Sequence, residues 1–93
     1  MPFKRYRVQW RDKAGTRNSG TFTVEDTSST AGKSMMVRTV AVQSEAVETQ
    51  LALGSRRFTG DFDDDAEVVS AVRSFLVGSV AGPKPESIAI SEG

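Results

Sequence analysis

Ninety-three residues without a cysteine or a histidine cannot supply disulfides, thiolate nucleophiles or the usual zinc sites, and they lack the side chain that most often moves protons near neutral pH. A chain this short holds one modest core, and an apolar share of 38% beside 26% charged residues places it among folded domains, neither membrane-like nor disordered. Net charge is zero, but residues 1–24 carry Lys4, Arg5, Arg7, Arg11, Lys13 and Arg17 against Asp12 alone, a polarity that steers an anionic partner to one end or aligns copies head to tail.

Residues 4–11 alternate strictly, with Tyr6, Val8 and Trp10 on one side and Arg5, Arg7, Gln9 and Arg11 on the other. This is the pattern of a half-buried strand. Asp12 to Thr16 places Gly15 where a short hairpin loop needs positive φ, and Thr21 to Glu25 resumes the alternation with Phe22 and Val24 inward. The cluster Asp26-Thr-Ser-Ser-Thr30 then offers helix-capping oxygens, and Ala31, Met35, Met36 and Val40 recur at near-helical spacing, so a helix is expected from about Ser28 to Val42. The competing reading makes Met36, Arg38, Val40 and Val42 one face of a strand, supported by the β-branched residues Val37, Thr39, Val40 and Val42.

Between residues 46 and 62, Val47, Thr49, Leu51 and Leu53 alternate, Gly54-Ser55 reads as a turn, and Arg57 to Phe62 completes a second hairpin, although the Ala, Glu and Gln content of residues 45–52 also suits a helical turn. Asp63-Asp-Asp65 opens a helix whose apolar positions are Val68, Val69, Val72, Phe75 and Leu76, ended by Gly78. Gly82-Pro-Lys-Pro85 cannot continue a helix and leads into Ser-Ile-Ala-Ile90. The elements together predict an α+β fold in the order ββαββα, a small two-layer sandwich of an antiparallel sheet and two helices over residues 1–81, with residues 82–93 as a flexible C-terminal tail or a short edge strand. An all-β arrangement with one C-terminal helix is the alternative.

Two motif fragments fail their own requirements. Gly32-Lys33-Ser34 matches the end of a phosphate-cradling loop, but the required glycine five residues earlier is Thr27, which leaves an ordinary first helical turn. Asp61, Asp63 and Asp65 repeat the alternating carboxylates of a calcium loop, but Ala66 stands where the bend needs glycine and Val72 where the closing glutamate belongs. Without histidine, a serine or threonine nucleophile would need Lys4, Lys13, Lys33 or Lys84 as its base, and no spacing selects one. The sequence therefore predicts no enzyme, no metal and no cofactor. It contains no apolar run of signal-peptide or membrane-span length, so a cytoplasmic protein without membrane association is expected.

The functional feature is the outward face of the first hairpin. Arg5, Arg7 and Arg11, with Lys13 and Arg17 at the loop, form a basic stripe, and the arginine fork suits phosphate oxygens. The expectation is a small nucleic-acid-associated binding module that contacts the backbone. The alternative is a protein-interaction or assembly module, a phage or mobile-element accessory protein that self-associates as a homo-oligomer or docks on a protein partner. Tyr6-Arg-Val-Gln-Trp-Arg-Asp-Lys-Ala-Gly-Thr-Arg, continuing to Thr21-Phe22, resembles the opening hairpin of the arm-site DNA-binding domain of phage tyrosine recombinases. The resemblance covers about a quarter of the chain at the level of turn and alternation. It implies a third strand after the hairpin, and it does not extend to that family's catalytic region.

Overall fold

The alternation at the start of the chain becomes the centre of the sheet. The structure, a computed structural model, describes residues 2–45, 54–79 and 82–93. Strand β1 is Phe3–Arg11 and β2 is Arg17–Asp26, antiparallel in unbroken register from Phe3 opposite Glu25 to Arg11 opposite Arg17. Asp12 shapes the turn between them. Its Oδ1 accepts from the N–H groups of Ala14 and Thr16, both at 2.9 Å, while Gly15 takes a φ of +86°, a conformation that only glycine adopts without steric cost.

The helix expected over residues 28–42 is not formed. Ser34–Ser44 is instead an eleven-residue strand, β3, paired along β2. The polar cluster before it makes a second tight hairpin in place of a helix cap: Ser29 and Gly32 exchange both backbone hydrogen bonds, and Asp26 Oδ1 accepts from Ser28 N–H. The hydroxyls of Thr27 and Ser34 lie 2.7 Å apart across its base. Short polar side chains serve turns as readily as caps, and the β-branched run that follows packs better in a pleated strand. Gly32, with φ +149°, is a turn residue, so Gly32-Lys33-Ser34 is not a first helical turn either.

The strand reading of this segment needs its own correction. Thr21 faces Ala41 and Phe22 faces Thr39, which leaves Val40 as an extra residue without a partner on β2. This bulge reverses the alternation. Met35 and Val37 point inward before it and Val42 after it, all fully buried, while Met36 and Arg38 point outward and Val40 is 56% exposed.

Strand β4, Ser55–Thr59, pairs with the first half of β3. Residues 46–53, where the alternation predicts another strand, lie outside the described residues. Helix α1 is Asp65–Val77, capped by Asp64, whose Oδ1 accepts from Ala66 N–H at 3.0 Å, and followed by Gly78. Residues 82–93 cross back to β1: Lys84 N–H donates to Arg11 O, Pro85–Ser87 makes a single 3₁₀ turn, and Ala89–Glu92 forms β5 along Tyr6 to Gln9. The sheet order is β4-β3-β2-β1-β5. Among the described residues the fold is thus a five-stranded antiparallel sheet with a single α-helix, not a two-helix ββαββα sandwich. No helix among the described residues is long and apolar enough to cross a membrane.

The core lies between α1 and the inward face of the sheet. Val68, Ala71, Val72, Phe75 and Leu76 of the helix are buried with Tyr6, Val8, Trp10, Phe22, Val24, Met35, Val37 and Val42. Phe75 meets Phe22 and Phe58 edge to face, with ring centroids 6.0 and 6.5 Å apart. Full burial of each large apolar side chain contributes about 1.5–3 kcal/mol. Among the described residues three buried polar atoms have no hydrogen-bond partner: Tyr6 Oη, Trp10 Nε1 and Thr39 Oγ1.

The Tyr6 phenol has a consequence at high pH. Burial pushes its pKa above the ordinary 10.0, because the charged phenolate is disfavoured away from water. The unfolded chain then releases this proton first as pH rises through 10, so stability present below that pH is lost progressively up to the folded pKa. Lys4, raised above 10.5 mainly by its hydrogen bond to Asp65, acts in the same direction but is partly solvated. Thermal unfolding followed between neutral pH and pH values above 10 is expected to show an alkaline decline that Tyr6→Phe makes shallower. An identical decline in that variant would mean that the phenol does not contribute.

Candidate nucleic-acid interface

Among the described residues, alternation puts α1 on one side of the sheet and leaves the other side open. Arg5, Arg7 and Arg11 project from β1 onto this open face and are exposed, and Arg17 at the start of β2 is the direct ladder partner of Arg11. Lys13 is exposed in the turn beside them. The five residues singled out in the sequence therefore gather at one face and its hairpin end. Two more arginines join them. Thr23 lies between Arg5 on β1 and Arg38 on β3, and Arg57 of β4 lies opposite Met36 on the same face. Reading residues 28–42 as a helix hid Arg38. Its signal was the β-branched run around it, which places Arg38 outward only once the bulge at Val40 is known.

Glu25 is the single carboxylate among the described outward positions of the strands, 3.7 Å from Arg38 Nε. Asp61, Asp63, Asp64, Asp65 and Glu67 collect at the N-terminal end of α1. There Lys4 Nζ lies 2.7 Å from Asp65 Oδ1 and 2.8 Å from Phe62 O, and Lys33 Nζ lies 3.2 Å from Asp61 Oδ2. The Asp61 carboxyl is held below its ordinary range, first by the N–H of Asp63 and then by Lys33. These carboxylates serve separate partners: Asp61 turns to Lys33, Asp64 caps α1 and Asp65 turns to Lys4. Among the described residues no three acids are grouped as metal ligands. Lys4 and Lys33 are thereby committed to the acidic corner and do not extend the basic face.

The open face carries two depressions. A depression of about 560 Å³ at the hairpin end is lined by Gln9, Arg11, Arg17, Ser19, Gln43 and Ala89 among others, and one of about 310 Å³ by Arg7, Thr21 and Ala41. Gln9, Ser19 and Gln43 border both, so the two form one trough. Its lining combines the small outward residues Ser19, Thr21, Ala41 and Ala89 with the longer Arg7, Gln9, Arg11 and Gln43. Gly93 lies so close against the Arg7 side chain that a Cβ added there would come within 2.9 Å of Arg7 Cγ.

The face offers hydrogen bonds and charge, but few rings. Tyr6 and Trp10 are 3% and 2% exposed on the inward side, which removes them as stacking platforms for bases. Phe3, 60% exposed, is the one aromatic on the open face among the described residues. No known protein family, curated protein or solved structure matches the chain.

Proposed function

We propose that the protein is a small non-catalytic binding module that meets the nucleic-acid backbone with its open sheet face. The observation that carries the reading is the segregation of charge: Arg5, Arg7, Arg11, Arg17, Arg38 and Arg57 share a face on which the described acids are Glu25 and, at the hairpin end, Glu45, while the aspartate cluster lies at the end of α1. Guanidinium forks suit phosphate oxygens. Five strands spaced by about 4.8 Å span roughly 19 Å, too wide for a duplex major groove of about 12 Å. Contact along the backbone, with affinity and little sequence choice, is the mode this shape favours.

Arg5→Glu combined with Arg7→Glu is expected to abolish binding of single- and double-stranded probes in a mobility-shift assay at moderate salt, with the far-ultraviolet circular dichroism unchanged. Single alanine changes should each flatten the log–log salt dependence by close to one unit on duplex DNA. A wild-type protein that shifts no probe at low micromolar concentration sinks the reading. The second reading is assembly, favoured by the same basic face and acidic corner as complementary surfaces of two copies. Light scattering on a sizing column distinguishes it, because charge reversal would then change the mass of the species in solution.

A further inference from the structure

The hairpin end of the trough differs from the rest of the basic face. Arg11 and Arg17 are direct partners in the ladder, so their side chains leave the sheet side by side, and like charges so placed oppose each other. Neither has a carboxylate within 4.0 Å among the described residues. Arg11 is also fixed in place. Its Nη1 donates to Gly15 O at 2.9 Å, within the loop that Asp12 pins, and its backbone N–H donates to Ser87 Oγ at 2.9 Å.

The depression beside them, about 560 Å³, lies in the size range of small-ligand sites. Gln9, Ser19 and Gln43 add hydrogen-bonding groups to its wall, and Glu45 is the one acid in its lining among the described residues. We infer that this end of the trough is a site for a phosphomonoester, in which Arg11 and Arg17 grip a terminal phosphate of a nucleic-acid strand from two sides. A terminal phosphate carries close to two negative charges near neutral pH and three acceptor oxygens, and two guanidinium forks supply donors for all of them. An internal phosphodiester offers one charge and two free oxygens, which matches the more widely spread Arg5, Arg7 and Arg38. The inference rests on the nucleic-acid reading of the face and specifies which part of the strand the hairpin end takes.

The test uses the whole protein with two probes. Inorganic phosphate, titrated at constant ionic strength, is expected to shift the nuclear magnetic resonance signals of Arg11, Arg17, Ser19 and Gln43 saturably. Short oligothymidylates carrying a 5′- or 3′-phosphate should bind about tenfold more tightly than the same strand with two hydroxyl ends, the value of one charge-assisted contact. Arg11→Gln with Arg17→Gln should remove this preference and the phosphate shifts. Arg5→Gln with Arg7→Gln should weaken phosphorylated and hydroxyl-ended strands alike and keep their ratio. Equal affinity for the strands, or phosphate shifts that do not saturate, overturns the site. If no strand binds but phosphate still saturates Arg11 and Arg17, the nucleic-acid reading falls and the phosphoryl site stands.

Discussion

Trp10→Ala is expected to lower the unfolding free energy by about 3–5 kcal/mol, the usual cost of removing a buried indole. The ring is 2% exposed and belongs to the main core cluster, and a domain of this size holds only about 5–15 kcal/mol in all. Urea unfolding followed by circular dichroism measures the change, since the sequence has a single tryptophan and its fluorescence is lost with it. Trp10→Phe separates two contributions. It keeps an aromatic ring but removes Nε1, which is buried without a partner and costs about 1–3 kcal/mol as an unsatisfied donor. The phenylalanine variant should therefore recover most of the loss. Wild-type stability in Trp10→Ala would place the ring outside the core.

Met35→Lys and Met36→Lys are expected to differ by on the order of 5 kcal/mol, because one ammonium would be buried and the other solvated. Met35 is fully buried, faces Phe58 across the ladder, and its Cε lies 3.0 Å from where a Cβ on Gly60 would sit. Met36 points to the open face between Glu25 and Arg57, where a lysine stays in water with one opposite and one like charge as neighbours. Met35→Lys should unfold the domain at room temperature and Met36→Lys should change its stability by less than about 1 kcal/mol. Similar effects in both variants would contradict the strand register.

The hairpin of β1 and β2 was legible because local signals agree there: strict alternation, a glycine at the turn and polar punctuation. Helix α1 was legible for the same reason, with Asp64 before it, Gly78 after it and an apolar face between. Residues 28–42 were not, because Asp26 to Thr30 suits a cap or a turn equally, and only pairing with β2 and β4 decides between them. The bulge at Val40 compounded this by setting Met35, Met36 and Val40 at intervals that imitate a helix. The readable part of the candidate site follows the same division. Arg5, Arg7, Arg11, Lys13 and Arg17 could be placed from one hairpin, whereas Arg38, Arg57 and the meeting of Ser19, Ala41 and Ala89 in the trough's lining depend on long-range strand neighbours.

The pairing of β5 with β1 has a consequence for the order in which the fold can close. Ser91 meets Arg7 across 84 intervening steps of sequence, so β1 is made early and receives its second neighbour very late. At roughly 5–20 residues per second the interval is on the order of 4–17 s of synthesis. Throughout it the outer edge of Tyr6 to Gln9 presents unpaired backbone groups to any strand nearby. Arg5 and Arg7 flank and interrupt that edge with charge, which discourages pairing between nascent chains. The arginines that define the candidate interface of the finished domain thus also guard its last seam during synthesis.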